Sequence, residues 1–195
     1  MNRVIVLHAS LAGHWAACPL TGLVGHIAYA KRLELERASA TARQASLLGI
    51  ELAMQAITAL AGHRPPVRDL RFPAGGKPFL PGGPSFSISH CRQHVAVAAS
   101  ADCEVGIDIE DRGGKGSAGG GTRPDLWRWV AIEATLKAAG CGLRSASRVA
   151  LNEDTRCARL EARDYRLTPL ELDPAVLGCV ATSADIDRWE IKRCS

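Results

Sequence analysis

The sequence predicts an α+β protein, and three observations carry that expectation. Two stretches have helical periodicity, one in each half of the chain: Ile50, Met54, Ile57 and Ala61 recur at i, i+4, i+7 and i+11, and Trp129, Glu133 and Lys137 at i, i+4 and i+8. Between them, FSISHCRQHVAVAASADCEVGIDIE, residues 86–110, alternates as strands do. After Gly140, short apolar segments recur at strand length. A chain of 195 residues suffices for one substantial core or for two small, closely packed halves, so 1–195 is read as a single unit. Hydrophobic content of 47% with 23% charge excludes wholesale disorder, and an aromatic share of only 5% leaves packing to Leu, Ile, Val and Ala.

Taken in order, Val4-Ile-Val-Leu7 reads as an opening strand. A secretory signal is the rival reading of this end, since Arg3 precedes a short apolar run and small residues lie near Ala17, but His8 and His14 interrupt the run. No apolar stretch approaches the length expected of a membrane span. Residues 24–37 suggest a helix whose Lys31, Arg32, Glu34, Glu36 and Arg37 form a solvated face. Thr41 precedes the strongly helical segment, which Gly62 ends and Pro65-Pro66 keeps from resuming. Residues 69–72 suggest a short strand, followed by turns around Gly75-Gly-Lys77-Pro78 and Pro81-Gly-Gly-Pro84. The run GGKGSAGGG, inside 111–121, offers nothing to bury and is expected to be a mobile linker; it lacks the order of a P-loop. Residues 146–151, 157–162, 165–170, 176–181 and 189–192 are expected to form a strand meander packed on the Trp129 helix.

The net charge of +4 is mild and interspersed, which argues against nucleic acid as a partner and suits phosphate-rich or acidic ones. Seven cysteines are an odd number without C-x-x-C spacing, so neither a zinc site nor a disulfide framework is implied, and reduced thiols of a cytoplasmic protein are expected.

The chemistry-bearing residues lie in the middle of the chain. Asp108 and Glu110 project from one face of a strand while Ile107 and Ile109 turn to the other, giving half of a hard-cation site, although most such pairs are simply solvated. Glu133 and Lys137 form an i, i+4 pair beside Trp129, which on its own is an ordinary surface pair of a few tenths of a kcal/mol. Lys77 in a glycine turn is a mobile point charge suited to phosphate or the rim of an adenine. His90 alone reads as a structural histidine.

Four pieces in this order, GGKPFL at 75–80, FSISH at 86–90, VGIDIE at 105–110 and WVAIEATLKAAG at 129–140, resemble the 4'-phosphopantetheinyl transferases of the surfactin-type branch. Ser87 stands where that family has Asn, Ile132 where it has Lys, and the connection DRGGKGSAGGGTRPDLWR replaces a longer segment with its own helix. The resemblance implies two similar lobes, 1–110 and 122–195, related by a pseudo-twofold and joined by the glycine-rich 111–121, each a long helix on a small antiparallel sheet. It implies a monomeric, cytoplasmic enzyme that moves the phosphopantetheine arm of coenzyme A to a serine of an apo acyl or peptidyl carrier protein, with Mg²⁺ held by Asp108, Glu110 and Glu133. Glu133 is then the preferred base, Lys137 a neutraliser of diphosphate charge, and Arg43, Lys77, Pro78, Ser89, His90 and Lys137 the coenzyme-binding residues. Arg43 carries the further reading of an ordinary exposed arginine. Arg123, Arg128 and Arg144, with Trp127, suggest a docking face for an acidic carrier helix. Two alternatives stay open: a metal-dependent phosphodiesterase using water on the same carboxylates, and a coenzyme-binding or carrier-binding module without efficient transfer.

Overall fold

Strand β1 (Arg3–Ser10), buried along almost its whole length, is one of the two inner strands of the first of two sheets. The computed structural model describes residues 1–12, 21–113 and 123–194. Its elements are β1, helices α1 (Thr21–Val24), α2 (Tyr29–Arg37) and α3 (Ala40–Ala61), strands β2 (Ser85–His90), β3 (His94–Ser100) and β4 (Val105–Asp111), helix α4 (Arg123–Ala139), and strands β5 (Val149–Asn152), β6 (Cys157–Leu160), β7 (Arg163–Leu170), β8 (Val176–Thr182) and β9 (Arg188–Arg193). The protein is thus of mixed α/β composition, with a four-stranded sheet in the order β2-β3-β1-β9 and a five-stranded sheet in the order β4-β8-β7-β6-β5.

Strand alternation divides the apolar residues among three cores. On β1, Ile5, Leu7 and Ala9 face α3 and pack with Leu48, Met54 and Ile57, whereas Val4 and Val6 turn toward the second sheet and meet Ile107, Ile109 and Val180. The far side of the second sheet packs Tyr165, Leu167 and Ala181 against Val130, Ala134 and Leu136 of α4. The layers therefore run helix, sheet, sheet, helix. Ser39 caps α3 by accepting from the Ala42 amide at 3.2 Å, and Gly62 ends it in the left-handed conformation, φ +76°. Of the helical stripe read from sequence, Ile50, Met54 and Ile57 are buried, while Ala61 at the end is exposed.

Several expectations need correction. Helix α3 is, by length and composition, long and apolar enough to cross a membrane; more than half of its apolar window is buried in the fold, as in a core helix. Residues 69–72 form no strand: a 3₁₀ turn spans Val67–Asp69, and one isolated bridge joins Arg71 to Phe79, because Pro73 and the glycines after it end the pairing. The segment 146–151 begins as a 3₁₀ turn over Leu143–Arg148, and only Val149–Asn152 is strand. The last segment, 189–192, does not join the meander on α4. It is β9, which runs parallel to β1 with Val6 opposite Ile191, so the first sheet is mixed rather than antiparallel. Nor does a boundary after residue 110 separate the sheets, since β4 pairs antiparallel with β8. Period-two patterning specifies which face of a strand is apolar and not which edge it joins. From residue 114 on, the glycine-rich connection lies outside the described residues.

Candidate active site

The site grows from an unusually close approach of helix to strand. Gly106, Asp108 and Glu110 lie on one face of β4, and α4 crosses that face so tightly that a Cβ at Gly106 would stand 2.1 Å from the Ala134 carbonyl oxygen and 2.2 Å from the Ala138 amide nitrogen. Glu133 and Lys137, each one residue before those backbone contacts, are thereby brought to Asp108.

Asp108 is only 2% exposed. Its Oδ1 accepts from Lys137 Nζ at 2.6 Å and from the Ser89 hydroxyl at 2.8 Å; Lys137 Nζ also lies 3.2 Å from Ser89 Oγ and 3.8 Å from Glu133 Oε2. Its second oxygen, Oδ2, is buried without a hydrogen-bond partner. Carboxylate oxygens of Asp108, Glu110 and Glu133 fall within 4.8 Å of one another. A buried carboxylate oxygen left unpaired is costly, and three converging oxygen donors are the set a hard divalent cation takes, so the residues fit Mg²⁺. Burial first, then the charge of Asp108, pushes Glu133 up to about 7, against the opposing pull of Lys137 and a hydrogen bond from Trp129. Glu110 is also raised, by burial and by Asp108 and Asp111.

A second feature adjoins this cluster. His90, Pro78, Lys31, Ser46, Ile88 and Phe72 are among the residues lining a cavity of about 430 Å³. His90 is held below its ordinary value by desolvation within the cleft and by the Lys137 and Lys31 cations. No family model matches this chain, and no curated protein does.

Asp108, Glu110, Glu133, Lys137 and Ser89 come together, and Pro78 and His90 share the cavity. Ser89 and His90, however, point to opposite faces of β2, and the buried Ser89 hydroxyl is occupied by Asp108, Lys137 and the Ile109 amide (3.2 Å), which makes it a positioning residue for the carboxylate rather than a contact for phosphate. Lys77 does not line the cavity: its Nζ donates to Ser85 Oγ at 2.8 Å and pairs with Glu104 at 3.1 Å. Arg43 donates to the carbonyls of Leu35 and Glu36, capping α2, and lies one turn before the cavity-lining Ser46. Of the suggested docking face, Arg128 reaches Glu153 at 3.7 Å, Arg144 is exposed, and the side chain of Arg123 lies outside the described part.

Sequence reasoning missed three contributors. Lys31 is not on a solvated face: its side chain is 15% exposed, pairs with Glu34 and lies 5.8 Å from the Phe72 ring centroid. Gly106 escaped notice although a glycine inside a strand signals the close approach of another backbone. The serines of S-F-S-I-S were the third: Ser85, Ser87 and Ser89 accept from the Val105, Ile107 and Ile109 amides at 3.3, 3.1 and 3.2 Å, lacing β2 to the edge of β4. Ser alternating with apolar residues was the available signal.

Proposed function

We propose that the protein is a 4'-phosphopantetheinyl transferase acting on coenzyme A and an apo acyl or peptidyl carrier protein. The observation that carries this reading is the convergence of Asp108, Glu110 and Glu133 around an unpartnered buried oxygen, with Lys137 beside them and the His90 cavity adjoining. Bound by the three carboxylates, Mg²⁺ would supply neutralisation of diphosphate charge. Glu133 accepts the proton of the carrier serine as the serine oxygen attacks the phosphorus that bears the pantetheine arm. The bond from that phosphorus to the bridging oxygen breaks, and adenosine 3',5'-bisphosphate departs with the electron pair. Lys137 offsets charge on the departing group, while Ser89 fixes Asp108. His90 and Lys31 offer cationic or hydrogen-bonding contacts to the coenzyme in the cavity.

On this reading the two halves, α3 on the first sheet and α4 on the second, are similar lobes related by a pseudo-twofold. The enzyme is cytoplasmic and monomeric, and the carrier docks by its acidic helix against the surface that includes Arg128 and Arg144. The test is incubation with coenzyme A, Mg²⁺ and an apo carrier protein, followed by intact-mass measurement. A mass gain of one phosphopantetheine, absent in EDTA, is expected. Hydrolysis of coenzyme A without a carrier would instead identify a phosphodiesterase, and binding without either reaction a coenzyme-binding module.

A further inference from the structure

We propose that Cys91, His94 and Asp111 form a second metal site, distinct from the carboxylate cluster, that takes Zn²⁺. One ligand atom from each residue lies within 4.8 Å of the other two. Cys91 and His94 flank the turn between β2 and β3, and Asp111 ends β4, so three donors from two sheets converge there. The surroundings hold each donor in place. The Arg92 amide donates to Asp111 Oδ2 at 3.1 Å, and the Cys91 thiol is hydrogen-bonded to the same carboxylate. His94 Nε2 lies 3.6 Å from Asp173 Oδ2, while its other nitrogen, Nδ1, is buried with no partner. An imidazole with one nitrogen turned to a carboxylate and the other left without a partner is the arrangement of a metal-ligating histidine, in which the carboxylate fixes the tautomer.

The donor set selects the ion. Sulfur, nitrogen and oxygen together suit Zn²⁺, whereas Mg²⁺ and Ca²⁺ prefer oxygen alone. Charge also balances: the thiolate and the Asp111 carboxylate offset the two positive charges of the ion. Binding forms the sulfur–zinc bond and releases the Cys91 thiol proton to solvent. Cys91-x-x-His94 has the same reach around a turn as a C-x-x-C pair. Since Cys91 follows His90 and Asp111 follows Glu110, an ion there would tie together the ends of the two strands that carry the candidate active site.

The test needs no transfer activity. The full chain, stripped with EDTA, is titrated with Co²⁺ as a spectroscopic substitute. One equivalent should produce a thiolate-to-cobalt charge-transfer band that Zn²⁺ then abolishes. Cys91→Ser should remove the band, His94→Ala should weaken binding more than about 10-fold, and Asp173→Asn by about 10-fold through loss of the histidine's partner. Asp108→Asn should leave the band intact. Absence of the band, or its persistence in Cys91→Ser, overturns the proposal. Should Cys91→Ser fail to fold, N-ethylmaleimide labelling of the unmodified chain decides instead: Zn²⁺ should slow alkylation of the peptide holding Cys91, and equal rates with and without Zn²⁺ overturn the site.

Discussion

The two long helices meet their sheets by opposite means. On the first sheet the helix surrenders a side chain: a Cβ at Gly49 of α3 would stand 2.6 Å from Ile88 Cγ2 and 3.5 Å from Val95 Cγ1, so the facing wall consists of side chains. On the second sheet the strand surrenders it, and Gly106 of β4 lies directly under the backbone of α4 at Ala134 and Ala138. A side-chain wall can adjust by rotation, whereas two backbones in contact cannot. The rigid arrangement carries Asp108, Glu133 and Lys137; the adjustable one borders the cavity at Ile88 and His90. Chemistry and ligand accommodation are thus divided between two kinds of packing.

The largest expected effect tests the rigid half. Asp108→Ala removes the acceptor shared by Lys137 and Ser89 together with one of three converging carboxylates, and should lower the transfer rate by at least about 10²-fold at saturating coenzyme A. Turnover near that of the unmodified protein at limiting Mg²⁺ would remove Asp108 from the metal site. Next, Gly106→Ala forces a methyl group into the α4 backbone and should cost about 3 kcal/mol or more, on the order of 6–12 °C in Tm, read by thermal denaturation. A smaller shift would mean that the backbone contact yields after all.

Glu133 gives a pH test of the same half. Its folded-state value, about 7, lies above the ordinary 4.5, so in the metal-free protein its contribution is fully present below about pH 4.5 and is lost as pH rises through about 7. Glu133→Gln should therefore raise Tm at pH 8 relative to the unmodified protein and change it little at pH 4, while slowing transfer more than it weakens coenzyme binding. A Tm difference independent of pH would mean that the carboxyl is not strained by its neighbours. The smallest effect belongs to the adjustable half: at Gly49→Ala, rotation of Ile88 and the gain of about 1 kcal/mol in helix propensity should nearly cancel, leaving stability within about 1 kcal/mol in chemical denaturation. A loss as large as that of Gly106→Ala would erase the contrast.

Much of this was legible in the chain because it depends on local periodicity. The burial of Ile50, Met54 and Ile57, and the common face of Asp108 and Glu110, follow from helical and strand repeats. The meeting of those carboxylates with Glu133 and Lys137 was implied only by a resemblance. What escaped depends on partners distant in sequence. β9 joins β1 across most of the chain, where Arg3 pairs with Glu190 at 2.6 Å, and nothing in RWEIKR specifies that edge. Lys77 and Arg43 looked like ligands for phosphate because a flexible cation carries no sequence record of the acceptor it meets, here Ser85 with Glu104 and the last carbonyls of α2. Ser89 beside His90 reads as one motif in sequence, yet a strand sends neighbours to opposite sides.

Strand β4 is the outermost strand of its sheet, and an outermost strand ordinarily offers its free amides to any passing chain, which is how many proteins aggregate. The hydroxyls of Ser85, Ser87 and Ser89 occupy those amides at Val105, Ile107 and Ile109. They therefore act as a seal: foreign strand addition at this edge is blocked without a further strand being recruited, and the edge bearing Asp108 and Glu110 is closed to assembly.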